Sequence, residues 1–194
     1  MPTTAVRGRF APTPSGLLHI GNLYAALMAW LHVRKENGVF VLRMEDIDKP
    51  RSTPRFAEQI VSDLRWLGID WDEGPDVGGP YEPYVQSERL ERYEAALDKL
   101  LRDGRLYPCY CSRAELLAAP SAPHGLASEG PAYPGTCREL SAQERERRSQ
   151  TKTPSLRFRL SETAGAEFDD AVFGPVRFPP GAGGDFIVRR ADGI

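Results

Sequence analysis

The 194-residue sequence contains little cysteine and no long apolar segment. The apolar run at residues 25–31 is far shorter than the roughly 20 residues that a membrane-spanning helix needs, so we expect no membrane partner. No basic segment followed by an apolar stretch marks a secretory signal, which predicts a cytoplasmic protein. Three cysteines without an export signal argue against a disulfide framework and favour metal binding or plain burial.

An excess of either charge is also absent. The chain has 25 Lys and Arg against 27 Asp and Glu, a formal net charge of -2. This balance excludes a global basic field, so any contact with RNA must come from a local patch. The 41% of hydrophobic and 27% of charged residues are typical of a globular protein and exclude a wholly disordered chain.

The first half of the chain is predicted to alternate strands and helices. Apolar periodicity and breakers predict strands at residues 7–11 and 39–42 and helices at residues 23–35 and 54–67. A third helix is expected to end before Gly104. Strand, glycine-containing turn, helix and strand in this order predict an α/β fold with a parallel sheet.

Two local details of these helices are also predicted. In the first helix, Leu23, Leu27, Trp30 and Leu31 recur at helical spacing, and we expect them to form the face that packs on the core. In the third helix, Ser87 is expected to be the N-cap.

The second half of the chain has a different character. Residues 108–134 are rich in Pro, Gly, Ser and Ala and resemble an insertion with little core of its own. Two capping boxes, Ser-x-x-Glu at positions 112–115 and 141–144, each predict a short helix. Alternation at residues 156–160 predicts a strand, and further strands are expected around Phe168, Phe178 and Ile187.

The loop after the first predicted strand has the composition of a ligand-binding loop. Residues 9–22 read Arg-Phe-Ala-Pro-Thr-Pro-Ser-Gly-Leu-Leu-His-Ile-Gly-Asn and lead directly into a helix. Gly16 and Gly21 allow a ligand close to the backbone, and a helix N-terminus offers unpaired N–H groups to an anion. His19 and Asn22 can donate hydrogen bonds to phosphate oxygens. A lone His-x-Gly-Asn fits a structural role equally well, but a strand before it and a helix after it favour phosphate binding.

The second predicted strand ends in a group of charges. Residues 43–51 read Arg-Met-Glu-Asp-Ile-Asp-Lys-Pro-Arg, and in parallel sheets ligands bind beyond the carboxyl ends of the strands. A carboxylate there can hold an amino group, and an arginine can bind a carboxylate through two hydrogen bonds. The alternative interpretation is a solvated run of surface charges.

The cysteines form a third pattern. Cys109 and Cys111 are one residue apart, and the segment Tyr-x-x-x-Cys places Tyr133 four residues before Cys137. Three thiolates so spaced can share one Zn²⁺, and tetrahedral coordination requires a fourth ligand. On chemical grounds His124 is the favoured fourth ligand, and Tyr133, Glu139 and a water molecule are the alternatives. Three cysteines that are merely buried are the structural alternative.

Together the first two motifs closely resemble the catalytic domain of glutamyl-type class I aminoacyl-tRNA synthetases. Similar segments continue at residues 86–89, 156–160 and 185–193. The resemblance implies a class I synthetase Rossmann-type parallel sheet with a small zinc-bearing insertion. It assigns the catalytic and ATP-binding roles to His19, Gly21 and Asn22. It assigns glutamate binding to Arg9, Phe10, Ala11, Pro12, Thr13 and Glu45.

The reaction that this resemblance implies is the activation of L-glutamate by ATP and Mg²⁺ to glutamyl adenylate. The cysteine pattern is similar to that of glutamyl-Q tRNA(Asp) synthetases, which are short paralogues that bind one zinc through Cys-x-Cys and Tyr-x-x-x-Cys. In that group the ligands correspond to Cys109, Cys111, Tyr133 and Cys137. Many ordinary glutamyl-tRNA synthetases instead end the motif with Cys-x-His, whereas Glu139 stands two residues after Cys137 here.

The paralogues attach glutamate to queuosine in the anticodon of tRNA(Asp) and activate glutamate without tRNA, which makes that tRNA the expected partner. One alternative is the N-terminal part of an ordinary glutamyl-tRNA synthetase, which charges the 3′ end of tRNA(Glu). The other is a non-catalytic RNA-binding module that uses local cations.

The resemblance also divides the chain. Residues 1–107 correspond to the first half of the nucleotide-binding catalytic domain, residues 108–150 to the zinc-bearing insertion, and residues 151–194 to strands that return to the catalytic domain. The family pattern continues beyond Ile194 with the second half of the fold and a Lys-Met-Ser-Lys-Ser-like loop. We therefore expect a chain truncated before the C-terminal half of the fold, from a full-length enzyme that is a monomer.

Overall fold

The structure is a computed structural model that describes residues 5–118 and 133–194. The chain divides into two compact units, Met1–Glu94 and Ala95–Ile194. The predicted three-part division at residues 107 and 150 stays a prediction. Among the described residues, no helix combines the length and the apolar character needed to cross a membrane.

The first unit is built on two parallel strands joined through a helix. Its elements, in chain order, are β1 (Arg7–Phe10), α1 (Ile20–Lys35), β2 (Val39–Leu42), α2 (Pro54–Trp66) and a 3-10 helix (Gln86–Arg89), followed by α3 (Leu90–Arg102), which continues into the second unit. Strand β1 pairs with β2 in parallel, with Arg7 opposite Val39 and Phe10 opposite Leu42. The predicted parallel α/β arrangement is confirmed.

The core of the first unit is apolar and lies where α1 and α2 pack with the strands. Helix α1 comes very close to β1, because a Cβ atom at Gly8 would lie 2.3 Å from the Val33 Cγ2 atom. A side chain at position 8 would therefore force the helix away from the strand. The buried members of this core are Phe10, Ala26, Val33, Phe40, Leu42, Met44, Ile60, Leu64, Ile69 and Trp71.

The predicted inner face of α1 is partly wrong. Leu27 and Leu31 are 41% and 48% exposed, whereas Ala26 and Val33 are buried. The helix is apolar around much of its circumference, so periodicity alone does not select one face. The close approach at Gly8 selects the face with the small and compact side chains.

The predicted cap of the third helix is also wrong. The 3-10 helix begins after Val85 without a side-chain cap, and α3 starts only at Leu90. The Ser87 backbone N–H and hydroxyl both donate to the Asp46 carboxylate, at 2.8 and 2.7 Å. Ser87 therefore holds the charged loop after β2 instead of capping a helix.

The second unit contains a three-stranded antiparallel sheet and a separate hairpin. Its further elements are β3 (Leu106–Cys109), α4 (Arg113–Ala118), α5 (Ala142–Ser149), β4 (Ser155–Phe158), β5 (Ala166–Asp170), β6 (Gly174–Phe178) and β7 (Phe186–Arg189). The sheet order is β3-β4-β7, and β5 pairs with β6. The strands predicted around Phe168, Phe178 and Ile187 are confirmed. Strand β3 lies outside the predicted elements because it contains Pro108, which is tolerated on this edge strand.

Both predicted N-caps of the second unit are present. Ser112 and Glu115 form the full capping box of α4, since the Glu115 N–H donates to the Ser112 hydroxyl and the Glu115 carboxylate accepts from the Ser112 N–H. Ser141 caps α5 through the Glu144 N–H. The Glu144 carboxylate instead accepts from the side chains of two arginines further along the helix.

Candidate active site and metal centre

The glycine-containing loop that follows β1 and the charged segment that follows β2 lie side by side at the carboxyl ends of the two strands. The Glu45 N–H donates to the Pro12 carbonyl at 3.0 Å, and the Arg43 N–H donates to the Phe10 carbonyl at the same distance. The hydrogen bonding of the parallel pair therefore continues past both strands into their loops. Residues that are more than 30 positions apart in sequence thus share the edge where α/β proteins bind ligands.

This edge carries one unpaired cation and one fixed carboxylate. Arg9 is exposed and forms no hydrogen bond or ion pair with any side chain in the described ranges, so its guanidinium can bind an incoming anion. The Glu45 carboxylate lies 2.9 Å from the Arg43 guanidinium, which also donates to the Tyr93 hydroxyl. Arg43 therefore holds Glu45 in place through a charge-assisted hydrogen bond.

The remaining residues predicted to bind glutamate form the walls of the first loop. Phe10 and Pro12 are buried, Ala11 is half-buried and Thr13 is exposed. The Thr53 N–H donates to the Pro14 carbonyl at 3.0 Å, which ties the end of this loop to the start of α2. The loop that follows β1 is therefore hydrogen-bonded to neighbouring segments at both Pro12 and Pro14.

His19 and Asn22 cap the N-terminus of α1 reciprocally. The His19 Nδ1 atom accepts from the Gly21 N–H at 3.1 Å, and the Asn22 Oδ1 atom accepts from the His19 N–H at 3.1 Å. Because Nδ1 accepts this hydrogen bond, Nε2 is the ring nitrogen that is left as a donor. The Asn22 amide NH₂ likewise keeps its donors available.

The helix end between these side chains suits an anion. The first turn of α1 contains no acidic residue, and its N–H groups add to the positive end of the helix dipole. A Cβ atom at Gly21 would lie 3.0 Å from the His19 ring, so glycine leaves room for the imidazole. The three residues predicted to bind ATP are thus brought together in one short segment.

Two of the acidic residues in the second motif have structural partners instead. Asp46 accepts from Ser87, and the Asp48 carboxylate pairs with the Arg51 guanidinium at 2.6 Å. The interpretation of this motif as a run of solvated charges is therefore wrong for Asp46, which is engaged on both of its oxygens. Glu45, whose backbone N–H donates to Pro12 of the first loop, is the remaining carboxylate near that loop.

The three thiols of the second unit converge. The sulfur atoms of Cys109, Cys111 and Cys137 all lie within 4.8 Å of one another, and those of Cys111 and Cys137 are 3.6 Å apart. Ligand atoms around a tetrahedral zinc with Zn–S bonds of about 2.3 Å are separated by about 3.8 Å. The thiols therefore fit a zinc site.

Tyr133 completes the same cluster. Its hydroxyl lies 3.5 Å from the Cys109 sulfur, which matches the separation of about 3.5 Å expected between an oxygen and a sulfur ligand on one zinc. Among the other candidates, Glu139 pairs with Arg159 at 2.6 Å and is largely exposed. His124 lies outside the described residues. Tyr133 is therefore the described protein side chain that best fits the fourth position.

The protonation of the cluster reflects its burial. Burial and the neighbouring Cys109 raise the pKa of Cys111 to about 12, because two adjacent thiolates would repel each other. Burial also raises the pKa of Cys109, but hydrogen bonds from Tyr133 and Arg157 outweigh it and hold that pKa below its ordinary value. A bound divalent cation would reverse the balance at Cys111, since coordination deprotonates a thiol.

Comparison with known families identifies the fold. The family profile described as tRNA synthetases class I (E and Q), catalytic domain, matches residues 5–194. The chain belongs to this family.

Relatives within the family are similar over nearly the whole chain. A glutamyl-Q tRNA(Asp) synthetase of Symbiobacterium thermophilum is 66% identical over 96% of this chain, and one of Nitratidesulfovibrio vulgaris is 49% identical over 97%. A glutamate–tRNA ligase of Symbiobacterium thermophilum is 44% identical over 97% of this chain and 39% of its own length. The chain spans 58% of the length of each of the two glutamyl-Q tRNA(Asp) synthetases.

Solved structures show the same class I synthetase fold. The glutamate tRNA ligase of Elizabethkingia meningosepticum, crystallised in complex with its amino acid, superposes with a TM-score of 0.78 at 29% identity. The match covers 97% of this chain and 39% of the ligase. The glutamate-tRNA synthetase of Elizabethkingia anophelis gives a TM-score of 0.80 at the same identity, covering 97% of this chain and 40% of its own.

Sequence motifs alone missed the residues that support the class I synthetase loops. Met44 exchanges backbone hydrogen bonds with the segment 84–86, and the Gln86 side chain accepts from the Ile47 N–H at 3.4 Å. Ser87 and Tyr93 anchor the side chains of the charged motif. The family-like segment at residues 86–89 was the signal, but it does not by itself reveal that this segment lies alongside β2.

A groove of about 880 Å³ lies along α2, between residues 54 and 65 of the helix, and is also lined by Met44 and Val85. Its walls are mainly apolar and include Pro14, Met44, Ala57 and Val61. Neither Arg9 nor any other residue predicted to bind glutamate or ATP lines it. The groove therefore does not include the predicted substrate-binding residues of the first loop or Glu45 at the ends of β1 and β2.

Proposed function

We propose that this chain is part of an enzyme that activates L-glutamate with ATP. An oxygen of the glutamate α-carboxylate attacks the α-phosphorus of ATP. The bond from that phosphorus to the bridging oxygen breaks, so the products are glutamyl adenylate and pyrophosphate. ATP would enter with Mg²⁺ as its counter-ion. Positioning and electrostatic stabilisation account for most of the catalysis in such a transfer.

The observation that carries this proposal is the meeting of the two motif loops through the Glu45–Pro12 hydrogen bond. It puts an unpaired cation, Arg9, and a fixed anion, Glu45, at one edge of the sheet. A zwitterionic amino acid with a second carboxylate needs both charges. Arg9 would bind a glutamate carboxylate, and Glu45 would bind the α-ammonium group.

The phosphates would be bound at the start of α1. The Nε2–H of His19, the amide NH₂ of Asn22 and the helix N–H groups beside Gly21 supply donors for negative charge that develops on the phosphate oxygens. The reciprocal cap holds the two side chains before substrate arrives. Little reorganisation is therefore needed when the transition state forms.

We propose queuosine in the anticodon of tRNA(Asp) as the acceptor of the activated glutamate. The support is the 66% and 49% identity to proteins named glutamyl-Q tRNA(Asp) synthetase, against 44% to a glutamate–tRNA ligase from one of the same organisms. The Tyr-x-x-x-Cys pattern at Tyr133 and Cys137 agrees with that choice. A tRNA substrate would also place the enzyme in the cytoplasm.

We propose a structural zinc on Cys109, Cys111, Tyr133 and Cys137. When bound, the ion cross-links segments that are up to 28 positions apart in sequence. The protein's own part is to bring three sulfur atoms and one hydroxyl together before the ion arrives. Metal analysis of protein purified without chelator should find about one zinc per chain.

The test of the activity is glutamate-dependent exchange between ATP and pyrophosphate, measured with and without tRNA. We expect exchange without tRNA, and His19→Ala should slow it about 100-fold or more, because removing one preorganised donor costs that much in comparable sites. The matched control is His32→Ala, which removes an exposed histidine from the same helix and should leave exchange unchanged.

Three results would contradict parts of the proposal. Exchange that requires tRNA would favour a glutamate–tRNA ligase over the queuosine-modifying enzyme. An unchanged rate in His19→Ala would remove His19 from the reaction. Absence of both exchange and ATP binding, when the chain is assayed together with the C-terminal half of the family fold, would favour the non-catalytic RNA-binding alternative.

A further inference from the structure

We propose that Arg157 is the positioning residue of the metal centre: its buried guanidinium supplies the counter-charge to the anionic zinc–thiolate cluster and holds the ring of Tyr133 in place. This inference rests on the zinc site proposed above. It concerns a residue outside both the ligand set and the ATP and glutamate sites.

Strand pairing places Arg157 on the metal-binding face of the sheet. It lies directly opposite Tyr107 in the antiparallel β3–β4 pair, so the two side chains project from the same face. Cys109 follows Tyr107 by two residues and therefore shares that face. The guanidinium carbon of Arg157 stacks 3.8 Å from the centroid of the Tyr133 ring.

Arg157 is buried without a carboxylate partner. It is 5% exposed, and in the described ranges it forms no ion pair. One of its terminal nitrogens donates to the Asp185 backbone carbonyl at 2.7 Å, while its Nε has no partner. An isolated charge so deeply buried is costly unless another charge compensates it.

The buried carboxylate of Asp185, whose backbone carbonyl accepts from Arg157, is already saturated by other donors. The Asp185 side chain accepts from the Arg138 guanidinium at 2.8 and 2.9 Å, from the Tyr107 hydroxyl at 2.6 Å and from the Leu160 N–H at 2.8 Å. Arg138 therefore neutralises Asp185. The charge of Arg157 needs a different counterpart.

The metal cluster provides that counterpart. Three thiolates on one Zn²⁺ leave at least one net negative charge, next to the ring on which Arg157 stacks. A cation at this position stabilises the loaded cluster, and the planar guanidinium fits the ring face as a lysine ammonium would not. The negative charge of the cluster thus accounts for the burial of Arg157. The stack with Arg157 accounts for the orientation of the Tyr133 ring.

Arg159 shows what the same residue type does away from the cluster. It lies over the Tyr107 ring at 5.2 Å, so it also stacks on a tyrosine. Its charge, however, is paired with Glu139 at 2.6 Å, and its side chain is 29% exposed. Arg159 is therefore a matched control that removes a stacked arginine without removing charge from the metal site.

The experiment measures Zn²⁺ affinity by competition with a chelator and the absorption of Co²⁺ bound in place of zinc. Arg157→Met should weaken Zn²⁺ binding 10- to 100-fold, the range found when outer-shell partners of metal ligands are removed. Arg157→Lys should restore much of the affinity but shift the Co²⁺ spectrum, because it keeps the charge and loses the planar stack. Arg159→Met should bind both ions as the unchanged protein does.

Each outcome decides between explanations. Wild-type Zn²⁺ affinity and an unchanged Co²⁺ spectrum in folded Arg157→Met would overturn the role of Arg157 while leaving the zinc site standing. Failure of the unsubstituted chain to bind Zn²⁺ would overturn the zinc site and this inference with it. If Arg157→Met does not fold, Arg157→Lys decides: an unchanged spectrum and affinity would overturn the positioning role.

Discussion

The two units of the chain differ in the kind of interaction that stabilises the interior of each. Among the described residues, the first unit has a core of ten buried side chains, all of them apolar. The core cluster of the second consists of Tyr107, Cys109, Tyr110 and Cys137, and two of these four are proposed zinc ligands. Arg157 and Asp185 are buried in the second unit as well.

This difference follows from size and shape. Helices α1 and α2 bury Ala26, Val33, Ile60 and Leu64 in the first unit, whereas α5 of the second unit buries no side chain, so less apolar surface is available there to offset the conformational entropy of folding. A metal cross-link and a buried ionic network can take over that function. The first unit instead places α1 and α2 on its parallel strands and obtains its stability from the hydrophobic effect.

Removing the metal is the strongest test of this comparison. If zinc holds the second unit, a chelator or Cys137→Ser should sharply lower the hydrogen-exchange protection of amides in β3 and β4. Amides in β1 and β2 should keep their protection. Structural zinc in small domains contributes about 10–16 kcal/mol of apparent binding free energy, so its loss should open the second unit fully.

The complementary test changes the apolar core of the first unit. Leu64 is completely buried in the first unit, and Leu64→Ala should lower the stability of that unit by about 2–5 kcal/mol. Zinc content should not change. Equal loss of protection in both units after chelation would show that they do not rely on different interactions.

The buried ionic network gives the next largest effect. Asp185→Asn removes the buried charge that accepts from Arg138 and leaves that cation with only the exposed carboxylates of Glu139 and Glu162. Breaking a buried pair by removing one partner typically costs about 3–5 kcal/mol. Denaturant unfolding should show a loss of this size, and the zinc content should be retained at low denaturant.

An exposed aspartate nearby serves as the control. Asp192 pairs with Arg190, but both side chains are about half exposed. Asp192→Asn should change the stability little, because exposed ion pairs contribute at most about 1 kcal/mol. Similar losses of stability in the two variants would mean that burial is not the reason for the contribution of Asp185 to stability.

The sequence predicted the first unit better than the second. Helical spacing, a continuous apolar run and turn residues located β1, α1, β2 and α2 to within a few residues, because these local signals mark where each element begins and ends. The inner face of α1 was missed because Leu27 and Leu31 are as apolar as the buried side chains. Only the contact with Gly8, which comes from another element, distinguishes them.

The candidate sites divide in the same way. Cys109, Cys111 and Cys137 were predicted together from their spacing, and the structure brings their sulfur atoms together. Arg157 and Asp185 were outside the site predictions, since a buried charge is visible only once strand pairing is known. Local patterns thus locate ligands, whereas the groups that support the ligands depend on long-range register.

The smallest effect expected concerns a buried charge in the apolar first unit. Glu73 is 5% exposed and accepts from the Arg7 guanidinium at 2.7 Å and from the Tyr84 hydroxyl at 2.6 Å. The hydrogen bond from Arg7 holds the pKa of Glu73 below its ordinary value of 4.5, against the opposing effect of burial. The ionised Glu73 carboxylate therefore stabilises the folded state fully above about pH 4.5. This stabilisation is lost as the pH falls through the lowered pKa of Glu73.

Glu73→Gln should reduce the loss of thermal stability that the first unit shows at acidic pH. Glu58→Gln, on the exposed side of α2, should leave the dependence of thermal stability on pH unchanged. The effect should be smaller than that of Asp185→Asn, because Arg7 is 37% exposed and water screens its attraction for Glu73. Asp185 lacks that screening, since its guanidinium partner is only 18% exposed. Superimposable acid profiles of Glu73→Gln and the unsubstituted chain would mean that the first unit relies on apolar packing alone.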